Sequence, residues 1–122
     1  MTSKVWVWSL YWSPEKQTEE AADAWRPPVD VYRCCTGWLL KFDLAGVRPE
    51  DVQVRIAGNR VTVKGVRRDW VLEQGYTYHS MEISYNRFER TIELPGDLTN
   101  AEFALETKDG LLLVRVNCGP NR

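Results

Sequence analysis

Through the middle of the chain, apolar and polar positions alternate with a period of two. Leu40, Phe42 and Leu44 fall on one side of a first run, and Val52, Val54 and Ile56 on one side of a second. Successive side chains of a strand leave opposite faces, so this spacing predicts two half-buried strands. Gly46 and Pro49 interrupt the stretch between them, and Pro49-Glu50-Asp51 suits a tight turn. Arg60-Val61-Thr62-Val63-Lys64, closed by Gly65, reads as a third strand. The alternation returns over residues 86–95, where Phe88, Ile92 and Leu94 share a face with Arg90, a costly place for an unpaired cation. Phe103, Leu105 and Thr107 alternate, Lys108-Asp109-Gly110 is a hairpin turn, and residues 111–116 form a last strand. Val29–Tyr32 is extended after Pro27-Pro28. Beyond a charged loop that starts at Val66, Tyr76–Ile83 has strand composition. Seven or eight short strands with regular turns predict an all-β fold, an antiparallel sandwich.

The first 26 residues follow another pattern. Val5 and Val7 alternate with Trp6 and Trp8, which predicts a short extended segment. Ser13-Pro14-Glu15 places an N-cap, a first-position proline and an acid in order, which predicts a short helix to about Trp25. Trp6, Trp8, Trp12 and Trp25 crowd this arm, which has little else to build a core from; such aromatics suit a partner surface. The chain therefore divides into an arm (1–26), a sandwich domain (27–117) and a short end (118–122).

At 122 residues there is room for one domain and one core. Sixteen Lys and Arg against 17 Asp and Glu leave a net charge of −1, without the basic footprint of a nucleic-acid binder. No apolar run approaches the roughly 20 residues of a membrane helix. The start of the chain lacks a continuous apolar stretch, so a secretion signal is not expected. Cys34, Cys35 and Cys118 lack C-x-x-C spacing, so neither zinc nor a redox motif is expected, and a reducing cytoplasm is the simplest fit. His79 is the sole histidine, and Ser80 beside it would leave the opposite face of a strand, so a Ser-His pair fails on geometry. Gly46, Gly58 and Gly65 are isolated turn glycines and form no phosphate loop. No enzyme, cofactor or metal is expected.

Three blocks in order carry a family resemblance: Pro28-Val29-Asp30-Val31-Tyr32; Asp43-Leu44-Ala45-Gly46-Val47-Arg48-Pro49-Glu50-Asp51-Val52; and Phe88-Glu89-Arg90 through Leu94-Pro95 to Asp109-Gly110-Leu111-Leu112. Over residues 27–117 the chain resembles the α-crystallin domain of the small heat shock proteins, the Hsp20 family. The resemblance implies an immunoglobulin-like sandwich and an ATP-independent holdase that binds partly unfolded client proteins and keeps them from aggregating. It also implies a homodimer, the unit of larger homo-oligomers, built by strand exchange. In that arrangement Tyr76–Ile83, carried on a long loop, pairs with Val29–Tyr32 of a second subunit. The implied interface comprises Val29, Val31, Tyr32, Trp70, Tyr76, Tyr78 and Met81, with Arg90 at the family's F-x-R arginine, tying dimer and core through carboxylates. The family's second feature is a groove between two edge strands that accepts an I-x-I tail; here it would be lined by Val52, Val54, Phe103 and Leu105. Two departures stand out. No I-x-I motif follows Val116, and Leu105 stands where the family usually has Ala. Val5-Trp6-Val7 has V-x-V spacing and either docks in that groove or, with Trp8 and Trp12, serves as a client-binding aromatic tail. A p23-like adaptor on the same sandwich is the alternative, although those domains lack the long loop.

Overall fold

In the computed structural model eight strands follow one another among the described residues: β1 (Val5–Ser9), β2 (Val29–Cys34), β3 (Gly37–Asp43), β4 (Val52–Ala57), β5 (Arg60–Arg67), β6 (Asn86–Glu93), β7 (Glu102–Lys108) and β8 (Leu111–Asn117). The structure describes residues 5–9 (as backbone), 23–69 and 73–119. One sheet has the order β1-β4-β5-β6 and the other β2-β3-β8-β7, with every neighbouring pair antiparallel. The all-β sandwich expected from the alternation is what forms.

The core lies where the period-two positions of both sheets meet. Leu40, Phe42, Val54, Val61, Val63 and Val114 have no accessible surface, and Ile56, Phe88, Leu94 and Leu112 almost none. The parity explains the assignment: Val54 opposes Val63 and Ile56 opposes Val61 across β4 and β5, and opposed residues of an antiparallel pair share a face. Removing one such side chain, as in Leu40→Ala, would cost about 2–5 kcal/mol.

Two glycines are dictated by local geometry. Asp109 (φ 53°) and Gly110 (φ 83°) join β7 to β8 in a two-residue turn with both residues left-handed, the turn whose twist matches a hairpin. Gly65 is a matter of space: a Cβ there would sit 2.0 Å from the Asp51 carbonyl oxygen and 2.9 Å from the Phe88 ring. The 3-10 turn Pro49–Asp51 packs against β5 at that point.

One expected element differs, and another lies almost wholly outside the described residues. No strand forms over Tyr76–Ile83, where residues 73–85 carry only turns and bends. The helix expected to about Trp25 lies outside the described residues as far as residue 22, and Asp23 and Trp25 form a turn and an isolated β-bridge. That bridge pairs Trp25 with Phe88, through Trp25 N–H to the Arg87 carbonyl (3.1 Å) and Glu89 N–H to the Trp25 carbonyl (3.0 Å).

Candidate functional site

Among the described residues the large apolar side chains left exposed are Val31, Tyr32, Tyr76, Tyr78, Met81 and Ile83. They belong to two segments, the edge strand β2 and the loop between β5 and β6, with exposures from 41% at Val31 to 69% at Tyr76. β2 hydrogen-bonds to β3 on one side and, among the described residues, has no strand on the other. A long edge with free N–H and C=O groups invites another strand. The loop has the composition of a strand without a ladder. β6, the nearest strand in sequence, pairs with β5 on one side and bridges Trp25 on the other.

The ends of this loop are held firmly. Arg67, the last residue of β5, donates from Nε to the Ser84 carbonyl (2.8 Å) and from Nη1 to the Ala45 carbonyl (3.0 Å). Its guanidinium lies 4.2 Å from the centre of the Trp25 ring and 5.9 Å from that of Tyr85;. Such cation–π stacking adds about 0.5–1 kcal/mol at an exposed site. Trp25 in turn donates its indole N–H to the Asn86 carbonyl (3.2 Å) and packs on Phe88 with ring centres 5.2 Å apart. Arg68 makes a two-pronged ion pair with Asp51 at 3.0 Å for each prong. One cluster thus fastens the root of the loop, the end of the arm and the β3–β4 turn.

Arg90 is half-buried and opposes Val63. It donates from Nη1 to the Pro27 carbonyl (3.1 Å), just before β2, while its buried Nε has no acceptor. Among the described residues the ion pairs are Arg68–Asp51 and Arg115–Glu106, so within one chain a carbonyl, not a carboxylate, holds Arg90. A buried unsatisfied donor costs about 1–3 kcal/mol, so Nε is a place where an acceptor from outside would be favoured.

Of the expected groove residues, Val52 and Val54 are core, 3% and 0% exposed, because their parity puts them between the sheets. Phe103 and Leu105, on the edge strand β7, are half-buried and pack against the core from the side. Val52 and Thr107 both line a cleft of about 220 Å³ that Leu44, Val47 and Leu112 help to form. Strand β1 pairs with β4. Val29 is half-buried, whereas Val31 and Tyr32 are open, with Lys41 Nζ 4.7 Å over the Tyr32 ring. The Tyr32 phenol beside Lys41 raises the ammonium above its usual pKa. Trp12 and Trp70 lie outside the described residues.

The three thiols are free. Cys34 is exposed, and its hydrogen bonds with the Thr36 side chain and backbone hold its thiol below the usual range. Among the described residues no group of three or more His, Cys, Asp or Glu could hold a metal ion, and no helix is long and apolar enough to cross a membrane. The Arg67–Trp25 cluster and the space limit at Gly65 were missed in the sequence, where Arg67 reads as loop charge and Trp25 as the end of a helix. Neither carries a local signal, since their partners are distant in the chain.

Two stacked antiparallel sheets, one with an apolar edge strand and the other with a firmly rooted, strand-poor loop, define the class: an immunoglobulin-like antiparallel sandwich. The Hsp20/alpha crystallin family model matches residues 32–121, and the chain belongs to that family. It is 26% identical over 90 residues to small heat shock protein C2 of Rickettsia felis, covering 74% of this chain and 58% of that protein. It is 37% identical over 96 residues to the 23.2 kDa heat shock protein of Oryza sativa, covering 75% of this chain and 42% of that one. Its fold matches a solved small heat-shock protein from Xylella fastidiosa at 25% identity and a TM-score of 0.63, over 80% of this chain and 94% of that one. The chain spans a little over half the length of the first curated relatives it matches.

Proposed function

We propose that the protein is an ATP-independent holdase chaperone working as a strand-exchanged dimer in a reducing cytoplasm. Residues 76–83 of each subunit would add to β2 of the other, and larger assemblies would grow from that dimer. The carrying observation is that, among the described residues, the exposed large apolar side chains fall into the two segments such an exchange would join. Fully burying a side chain of this kind contributes about 1.5–3 kcal/mol, and as a strand the segment would carry Tyr76 and Tyr78 on one face and Met81 and Ile83 on the other, so that the face turned to the partner would gain cover. Pairing also supplies the ladder the loop lacks and covers the β2 edge. Trp70 in the loop, Val29, Val31 and Tyr32 on β2, and Arg90 at its base would complete the interface, with the buried Arg90 Nε finding an acceptor there.

Clients would be held by burial of apolar area, which needs no nucleotide and discriminates little between sequences. The aromatic arm, with Trp12, and the β4–β7 rim at Phe103 and Leu105 are the surfaces we assign to that contact. The long loop between β5 and β6 favours this reading over a p23-like adaptor. A heat-labile enzyme warmed with an equimolar amount of the protein, with light scattering recorded, tests it. Suppressed scattering without ATP is the expected result; unchanged aggregation would refute the holdase.

A further inference from the structure

Two segments far apart in sequence meet at one side chain. Residues 76–83 are followed at once by Ser84, whose carbonyl accepts from Arg67 Nε (2.8 Å). β2 begins at Val29, shortly after Trp25, and the Trp25 ring lies 4.2 Å from the same guanidinium. Arg67 therefore touches the end of the segment that would leave for a second chain and the approach to the strand that would receive one. Asn86, which pairs with Arg67 across β5 and β6, turns the chain back in a left-handed conformation (φ 72°). Its carbonyl accepts the Trp25 indole N–H (3.2 Å). The backbone of Trp25 is seated on β6 by two hydrogen bonds, to the Arg87 carbonyl (3.1 Å) and from the Glu89 N–H (3.0 Å).

We propose that Arg67 is a positioning residue for the strand exchange: with Trp25 it links the seating of the arm's end on β6 to the pairing of residues 76–83 with a second chain. This rests on the exchange proposed above. A loop that docks on another chain loses conformational freedom at every residue that becomes ordered. With Ser84 and Asn86 already held, the segment starts from a fixed root, and less is lost when it pairs. Trp25 supplies one face of that hold, and its ring contact and indole donor would be given up together if it lifted off β6. Such coupling is reciprocal, so pairing also holds Trp25 in place. A lysine could not substitute, because one ammonium on a flexible stem cannot fork to two carbonyls and lie flat on a ring. Both carbonyl bonds are solvent-exposed, so water replaces the guanidinium when it is removed and the sandwich stays folded.

Sedimentation equilibrium of the full chain, with hydrogen exchange read by mass spectrometry on peptides covering Trp25 and Glu89, tests the link. R67A, R67K and W25L should each weaken pairing about 10-fold, and R67A/W25L about 10-fold as well, rather than the roughly 100-fold of independent sites. In the parent, the Trp25 and Glu89 peptides should exchange faster once dilution separates the chains; in R67K that difference should vanish. R67K, which keeps the charge and the stem, carries the comparison if R67A unfolds. Variants that pair as tightly as a parent that pairs overturn this proposal alone, as do effects that multiply in the double variant, or parent peptides that ignore dilution. A parent that sediments as one chain removes the exchange, and this proposal with it.

Discussion

Single residues show where the chain has no freedom. Gly65 sits in β5 between Val52 and Phe88, with the Asp51 carbonyl where a Cβ would go. That oxygen belongs to the backbone of a turn whose Asp51 side chain is itself tied to Arg68, so it has little room to yield. Gly65→Ala should therefore destabilise the fold by about 1–3 kcal/mol, read as a lower urea midpoint at unchanged slope. An unchanged midpoint would mean that the turn moves aside. Arg90 carries the opposite tension: one nitrogen satisfied by the Pro27 carbonyl, another buried without an acceptor. Its parity with Phe88 and Ile92 is plain in the sequence, but that its acceptor within one chain would be a carbonyl is not, because that contact comes from how the arm crosses β6.

Individual elements were legible wherever a strand buries one face against the core. Leu40, Phe42 and Leu44, then Val52, Val54 and Ile56, announce β3 and β4, and Asp109-Gly110 announces the last hairpin. Tyr76–Ile83 was legible in composition and yet forms no strand in a single chain, since propensity supplies no hydrogen-bond partner. The register of Val5–Ser9 along β4 was equally hidden, because alternation shows that two faces differ but not which neighbour the strand will pair with. Rooted by Arg67 and Arg68 and exposed between, the loop should be the first place a protease enters. Chymotrypsin is expected to cut after Tyr76 or Tyr78 before any site in β3, β4 or β8, and more slowly as protein concentration rises. First cleavage within the sheets, or cleavage insensitive to concentration, would contradict the strand exchange.

At the scale of the whole molecule, each sheet has a different relation to other chains. The β1-β4-β5-β6 sheet is covered at one edge by its own first strand and bridged at the other by Trp25. Among the described residues the β2-β3-β8-β7 sheet has no further strand at either edge, and the β2 edge is the one that carries exposed Val31 and Tyr32. With a net charge of only −1, like-charge repulsion between copies is weak, and apolar burial decides association. The most direct measurement is sedimentation equilibrium of the parent chain beside a variant with Tyr76, Tyr78, Met81 and Ile83 all changed to Ser. The parent should sediment at twice its 14.2 kDa or at a multiple of that pair, and the variant at a single chain with the same β-rich circular dichroism. A parent that sediments as one chain, or a folded variant that still pairs, would contradict the exchange of residues 76–83 onto β2.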